Sequence, residues 1–114
     1  MLPAAEFEAY VASGFCIVDC FTDWCGPCKL IAPKYYELAA QTHAAGAPLR
    51  FAKFDCQSDT RRSSALAIKA LPSFLAFHNG VEVGRMTGSK RDELEKFVAT
   101  HAAAAAAAVS VVAA

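Results

Sequence analysis

The sequence predicts an α/β fold, a three-layer α/β/α domain around a mixed central sheet of about four strands. Three observations carry this expectation. Short apolar runs and helical patterns alternate along the first half, as in parallel strands joined by crossover helices. The second half holds two strand-like runs linked by Asn79-Gly80, a two-residue hairpin signal that adds an antiparallel edge. The chain has 114 residues, which suits one compact domain able to bury a core without staples.

The elements follow in order. Pro3 suits a first helical turn, where its missing N–H costs nothing. Phe7, Tyr10 and Val11 then repeat at helical spacing until Gly14. Phe15–Phe21 is too short for a solitary helix and nearly all apolar, which predicts a strand covered on both faces. Ile31, Tyr35 and Leu38 mark a long helix reaching about to His43, with Pro33 inside it as an expected kink. Gly46 and Pro48 break the chain before a second strand, Leu49–Asp55. Residues 58–69 form a weakly patterned helix that ends before Leu71-Pro72. Ser73–His78 and Val81–Thr87 are the hairpin strands, closed by Gly88. Ser89, with Asp92 three residues on, predicts a capped last helix whose buried stripe is Leu94, Phe97 and Val98. Residues 1–101 form the domain. Residues 102–114 read as an alanine-rich extension, helical by propensity and expected to be a solvated, fraying terminus.

Composition narrows the function. Hydrophobic residues make up 55% and charged residues 19% of the chain, which excludes a disordered protein. Eleven Lys plus Arg balance eleven Asp plus Glu, so no electrostatic case exists for nucleic acid or an anionic membrane. The start, Met1-Leu2-Pro3-Ala4-Ala5-Glu6, carries no basic region before an apolar stretch, so no secretory leader is expected. Five cysteines, an odd number, argue against a secreted disulfide framework. Cys16 and Cys20 lie in an apolar run, where thiols act as small core residues. A reducing compartment follows, with the cytoplasm as the expected location.

The chemistry sits in Trp24-Cys25-Gly26-Pro27-Cys28, ahead of the long helix. Cysteines at i and i+3 around a helix start can meet and form a disulfide. Cys25 at the N-terminus faces unpaired N–H groups and the helix dipole, which stabilise its thiolate. Cys28, one turn inward, is more buried and stays a thiol. Cys25 is therefore the attacking sulfur and Cys28 the resolving one. Gly26 lets a substrate chain approach, and Pro27 stiffens the turn. Neither adds a basic or polar group beside the sulfur, which favours a reductant over an oxidant. Half of a zinc site is the alternative reading, but His43, Cys56, His78 and His101 are scattered and form no second ligand pair. A purely structural disulfide across so short a loop adds little chain-entropy gain.

These residues resemble a known family. The segment from Val18 to Lys29, with Trp-Cys-Gly-Pro-Cys-Lys at its centre, is similar to the active-site segment of thioredoxins. Pro33, Ala52-Lys53, Leu71-Pro72-Ser73-Phe74, Asn79-Gly80 and Gly88 match in order. The resemblance runs over residues 7–98. It implies a thioredoxin fold and protein-disulfide reductase activity through a redox-active Cys25–Cys28 disulfide, contributing to cell redox homeostasis. Asp19 falls where thioredoxins hold a buried acid beneath the dithiol. There its carboxyl pKa is expected to be raised, suiting proton exchange with Cys28. The alternative is a merely structural buried acid. Lys53 takes the place of a lysine that tunes that acid, or else is an ordinary strand-edge lysine. Pro72 matches the family's cis-proline, which would expose the Leu71 backbone to pair with a substrate strand. Without the family match, it would read as a trans proline in a loop. Trp24, Gly26, Pro27, Leu71, Pro72, Thr87 and Gly88 would form the apolar substrate surface.

The resemblance further implies no bound cofactor, and the chain contains no dinucleotide fingerprint. Reducing equivalents would come from a thioredoxin reductase using NADPH, or from ferredoxin in a plastid. The partners implied are that reductase and disulfide-containing proteins, met by a monomer. An oxidase or isomerase with the same cysteines, and a non-enzymatic binding module, are the rival readings. Three departures stand out. Thioredoxins typically begin with a short strand before the first helix, for which Met1-Leu2-Pro3 leaves little room. Its loss would leave a neighbouring strand edge open. Cys20 and Thr22 stand where phenylalanine and alanine are common. Cys56, between strand and helix, falls where a side chain can be exposed; an idle thiol is the first reading and a regulatory thiol the alternative.

Overall fold

The computed structural model describes residues 6–113, with side chains described as far as Val109. Pro3 and the preceding residues lie outside that range. The elements run α1 (Phe7–Val11), β1 (Phe15–Phe21), α2 (Gly26–Ala44), β2 (Leu49–Asp55), α3 (Thr60–Ala65), β3 (Ser73–His78), β4 (Val81–Thr87) and α4 (Arg91–Ala113). The four-stranded sheet has the order β2-β1-β3-β4. β1 and β2 are parallel, linked through α2, while β3 pairs antiparallel with both β1 and β4. The mixed sheet and its antiparallel edge match the sequence expectation.

Strand alternation sorts the core into two layers. Cys16, Val18 and Cys20 of β1 point to one face, where Phe54, Leu75 and Phe77 meet Phe7 and Val11 of α1. Ile17 points to the other face, where Phe74 and Ala76 meet Ile31, Tyr35 and Leu38 of α2 and Leu94 and Val98 of α4. Tyr35 joins the layers' strands as well as filling space. Its hydroxyl lies 3.1 Å from the Ile17 carbonyl and 2.8 Å from that of Ala52, bridging β1 and β2.

The hairpin is tied back to the start of the fold. Asn79 and Gly80 both take positive φ, 51° and 84°, as a turn matched to strand twist requires. The Asn79 side chain accepts from the Gly14 N–H at 2.8 Å, and the Gly80 N–H donates to Val11 at 2.8 Å. β2 has β1 as its one neighbour among the described residues.

Three expectations are corrected. The third helix spans Thr60–Ala65 instead of residues 58–69. Asp59 caps it, accepting from the Arg62 N–H at 3.0 Å. Ala67 ends it with φ 54°, while the Ala67 and Ile68 N–H groups bond back to Ser64 and Ser63. That is a Schellman stop made with alanine where glycine is usual. The last helix begins at Arg91, with the Leu94 N–H closing on Lys90, so the capping position falls on Lys90 and not on Ser89. Finally, the alanine tract is not wholly solvated. α4 runs through it unbroken, Ala105 is fully buried in the α2–α4 core, and Ala102 packs against that core.

Candidate active site

One end of the sheet gathers the site. Cys20 of β1 pairs with Ser73, and Ser73 pairs with Thr87. The loop after β1, the segment before β3 and the end of β4 therefore emerge side by side. The first carries Trp24 and Cys25, the second Leu71 and Pro72, the third Thr87 and Gly88. The Leu71-Pro72 bond is cis, and the Gly88 N–H donates to the Pro72 carbonyl at 3.0 Å. Gly88 holds φ at 101°, a conformation that side-chain-bearing residues rarely adopt. Pro72 is buried, Leu71 half-buried, and Trp24, Gly26, Pro27 and Thr87 are exposed. Trp24 is a large apolar residue left in the open, with 68% of its surface exposed.

Cys25 is the N-cap of α2, in extended conformation, and Pro27 occupies the first turn. Its Sγ accepts from the Cys28 N–H at 3.1 Å, so a backbone donor and the helix dipole converge on that sulfur. Cys25 and Cys28 are disulfide-bonded, with Cα atoms 5.2 Å apart. Cys25 is half-buried and Cys28 is 5% exposed. The asymmetry read from the motif is present in the fold.

Asp19 lies in the middle of β1 on the α2 side and is 1% exposed. Burial pushes its carboxyl pKa up to about 6, and the positive charge of Lys53 works against the rise. Its Oδ1 has no hydrogen-bond partner among the described residues, and neither has the buried Thr22 hydroxyl. Lys53 is the ladder partner of Asp19 across β1 and β2. No ion pair joins them among the described residues. Instead Nζ donates to the Tyr36 hydroxyl at 2.9 Å and sits over the Phe21 and Tyr36 rings, 4.5 and 5.0 Å from their centroids. Lys53 thus acts on Asp19 through its field and not by direct contact. A cavity of about 130 Å³ opens between Thr22, Cys28, Ala32 and Lys53, large enough for water to reach Cys28. Asp19 is not part of its lining.

Tyr36 is the site residue that sequence reasoning missed. Cys28, Ala32 and Tyr36 recur every four residues along α2, a stripe that the pattern could have revealed. Cys56 corrects another expectation. It is free but buried, packed in the α1-side core with Cys20. Cys16 and Cys20 are buried thiols, as expected.

A family model described as Thioredoxin matches residues 1–100. The chain belongs to the thioredoxin family. Thioredoxin-like protein 1 of Schizosaccharomyces pombe is 39% identical over 87 residues, covering 76% of this chain and 29% of that protein. Thioredoxin F, chloroplastic, of Oryza sativa subsp. japonica is 36% identical over 85 residues, covering 74% of this chain and 43% of that protein. The chain thus spans less than half the length of these two curated relatives. The crystal structure of Chlamydomonas reinhardtii thioredoxin f2 aligns with a TM-score of 0.79 at 36% identity, covering 88% of this chain and 93% of that one. Family membership accounts for the fold and for the Trp-Cys-Gly-Pro-Cys segment at the head of α2. Among the described residues, no helix is long and apolar enough to cross a membrane.

Proposed function

We propose that the chain is a protein-disulfide reductase that works by dithiol–disulfide exchange. The observation that carries this reading is the capping geometry: the Cys28 N–H points at the Cys25 sulfur while the Cys28 side chain is buried. In the reduced protein, that donor and the helix dipole stabilise a thiolate on Cys25. The Cys25 thiolate attacks one sulfur of a substrate disulfide, the substrate S–S bond breaks, and the other substrate sulfur leaves as a thiolate. Cys28 then gives up its proton and attacks the Cys25 sulfur. The mixed disulfide breaks, the second substrate thiolate leaves, and the Cys25–Cys28 disulfide remains.

Asp19, held near pKa 6 by burial, is the proposed acceptor of the Cys28 proton, passed through water that enters by the cavity beside Cys28. Lys53 tunes that acid. Trp24, Gly26, Pro27, Leu71, Pro72, Thr87 and Gly88 form the contact surface. An extended substrate segment pairs with the Leu71 backbone.

The proposed partners are a thioredoxin reductase and disulfide-containing proteins, with the chain acting as a monomer. NADPH is the first choice of electron source and the cytoplasm the first choice of location. The chloroplastic F-type relative supports a second reading, a plastid location with reduction from ferredoxin. Comparing the rates at which an NADPH-dependent and a ferredoxin-dependent reductase reduce the Cys25–Cys28 disulfide separates the two.

The test of the function itself is turnover of insulin disulfides with dithiothreitol as donor. Cys25→Ser should abolish turnover, and Cys28→Ser should accumulate mixed disulfides. Retention of full activity by both variants would overturn the mechanism. A reduction potential well above that of the cytosolic glutathione pool would favour an oxidase.

A further inference from the structure

Three cysteines take no part in the exchange reaction, and two of them are neighbours. Cys20 is in register with Phe54 across the parallel β1–β2 pair. Cys56 lies two residues beyond Phe54, and its N–H donates to the Phe21 carbonyl at 2.9 Å. Alternation therefore sets Cys20, Phe54 and Cys56 on one face, and all three belong to the same buried cluster. Within that cluster each thiol acts on the other's ionisation: the pairing pushes the Cys20 thiol up and brings the Cys56 thiol down, with the Ser63 hydroxyl adding to the second effect. Of the two, Cys56 is the sulfur more easily ionised.

The pair is also unequal in access. Cys20 is fully buried within β1, whereas Cys56 is 8% exposed and is the first residue past β2. It sits in the turn that follows β2. Cys16, the remaining free thiol, pairs in register with Arg50 at the far end of β2.

We propose that Cys20 and Cys56 form a second redox dithiol, which closes to an internal disulfide when a hydroperoxide oxidises Cys56. The Cys56 thiolate attacks a peroxide oxygen, the O–O bond breaks, and water leaves after protonation. Cys56 is then a sulfenic acid. The Cys20 sulfur attacks the Cys56 sulfur. The S–O bond breaks, the S–S bond forms, and the hydroxyl departs as water with the Cys20 proton. In sum, two thiols lose two electrons and two protons, and hydrogen peroxide becomes two waters. This site is separate from Cys25 and Cys28 and stands whether or not the chain is a reductase.

The experiment uses the full chain carrying Cys25→Ser and Cys28→Ser, which leaves Cys16, Cys20 and Cys56. Treatment with hydrogen peroxide should lower the free thiol count from three to one per chain. Non-reducing tryptic digestion should then yield the peptide of residues 54–61 joined to that of residues 1–29, and dithiothreitol should release it. Adding Cys20→Ala should abolish the link, and adding Cys16→Ala should leave it. Fragmentation of the joined peptide between Cys16 and Cys20 assigns the bonded sulfur without any further variant. A thiol count that stays at three, a Cys56 sulfinic or sulfonic acid with no link, or a link through Cys16 would each overturn the proposal.

Discussion

Asp19→Asn should remove a pH dependence of stability whose sense is opposite to that of a salt-bridged carboxyl. Burial holds the Asp19 carboxyl at about 6, against an ordinary 3.8. At about 1.4 kcal/mol per pKa unit, the native state disfavours the ionised form by about 3 kcal/mol. Below the ordinary value both folded and unfolded chains hold the proton, and nothing is lost. Between 3.8 and about 6 the folded chain keeps a proton that the unfolded chain has released, so stability falls as pH rises. Above about 6 the full cost is present. An asparagine cannot ionise and escapes that cost, although its amide adds a desolvation penalty that does not vary with pH. The stability of the variant relative to wild type should therefore rise by about 2 to 3 kcal/mol between about pH 4 and about pH 8. Guanidinium unfolding of both oxidised proteins at the two pH values measures it, and effects of the other titrating groups cancel in the comparison. A difference that is flat across this range would refute the raised carboxyl and the proton-acceptor role built on it.

Three further outcomes are expected. Lys53→Met removes the charge that opposes the Asp19 rise, so the Asp19 midpoint should move above about 6, as followed by carboxyl carbon chemical shift in a pH titration. Gly84→Ala places a Cβ 2.5 Å from His101 Nε2 and 2.7 Å from Cε1, which should cost about 1–3 kcal/mol in chemical unfolding. Adding His101→Ala should recover most of that cost, and an additive double variant would disprove the clash. Ala105→Asp puts a carboxylate into the α2–α4 core and should cost about 2–4 kcal/mol, whereas a freely solvated tail would tolerate it without change.

Much of this architecture could be read from residue patterns because the patterns have local causes. Phe15–Phe21 is apolar on both faces because β1 lies between two strands and two helical layers. Asn79-Gly80 announces a hairpin because few other pairs accept two positive φ angles. The misses also have physical causes. Alanine gives no warning of a left-handed stop, so Ala67 hid the early end of α3. Alanine burial depends on what lies opposite, so nothing in the tract singled out Ala105. At the site, the dithiol and its asymmetry were legible from spacing alone. The chain distance between Tyr36 and Lys53 concealed their hydrogen bond, which exists only because β2 returns beside β1 below α2. Cys56 reads as a surface position because it follows a strand, yet its side chain continues the inward alternation of Phe54.

The cap on α2 has a consequence for anyone dissecting this protein by mutation. The sulfur proposed to attack the substrate is the same atom that receives the Cys28 N–H and seals the first helical turn. A serine at position 25 keeps an oxygen able to take that donor, so it silences the sulfur while sparing the helix. An alanine removes both, and a loss of about 1 kcal/mol in folding would then be entangled with the loss of turnover. Reactivity and helix initiation here share one sulfur, and the serine variant separates them.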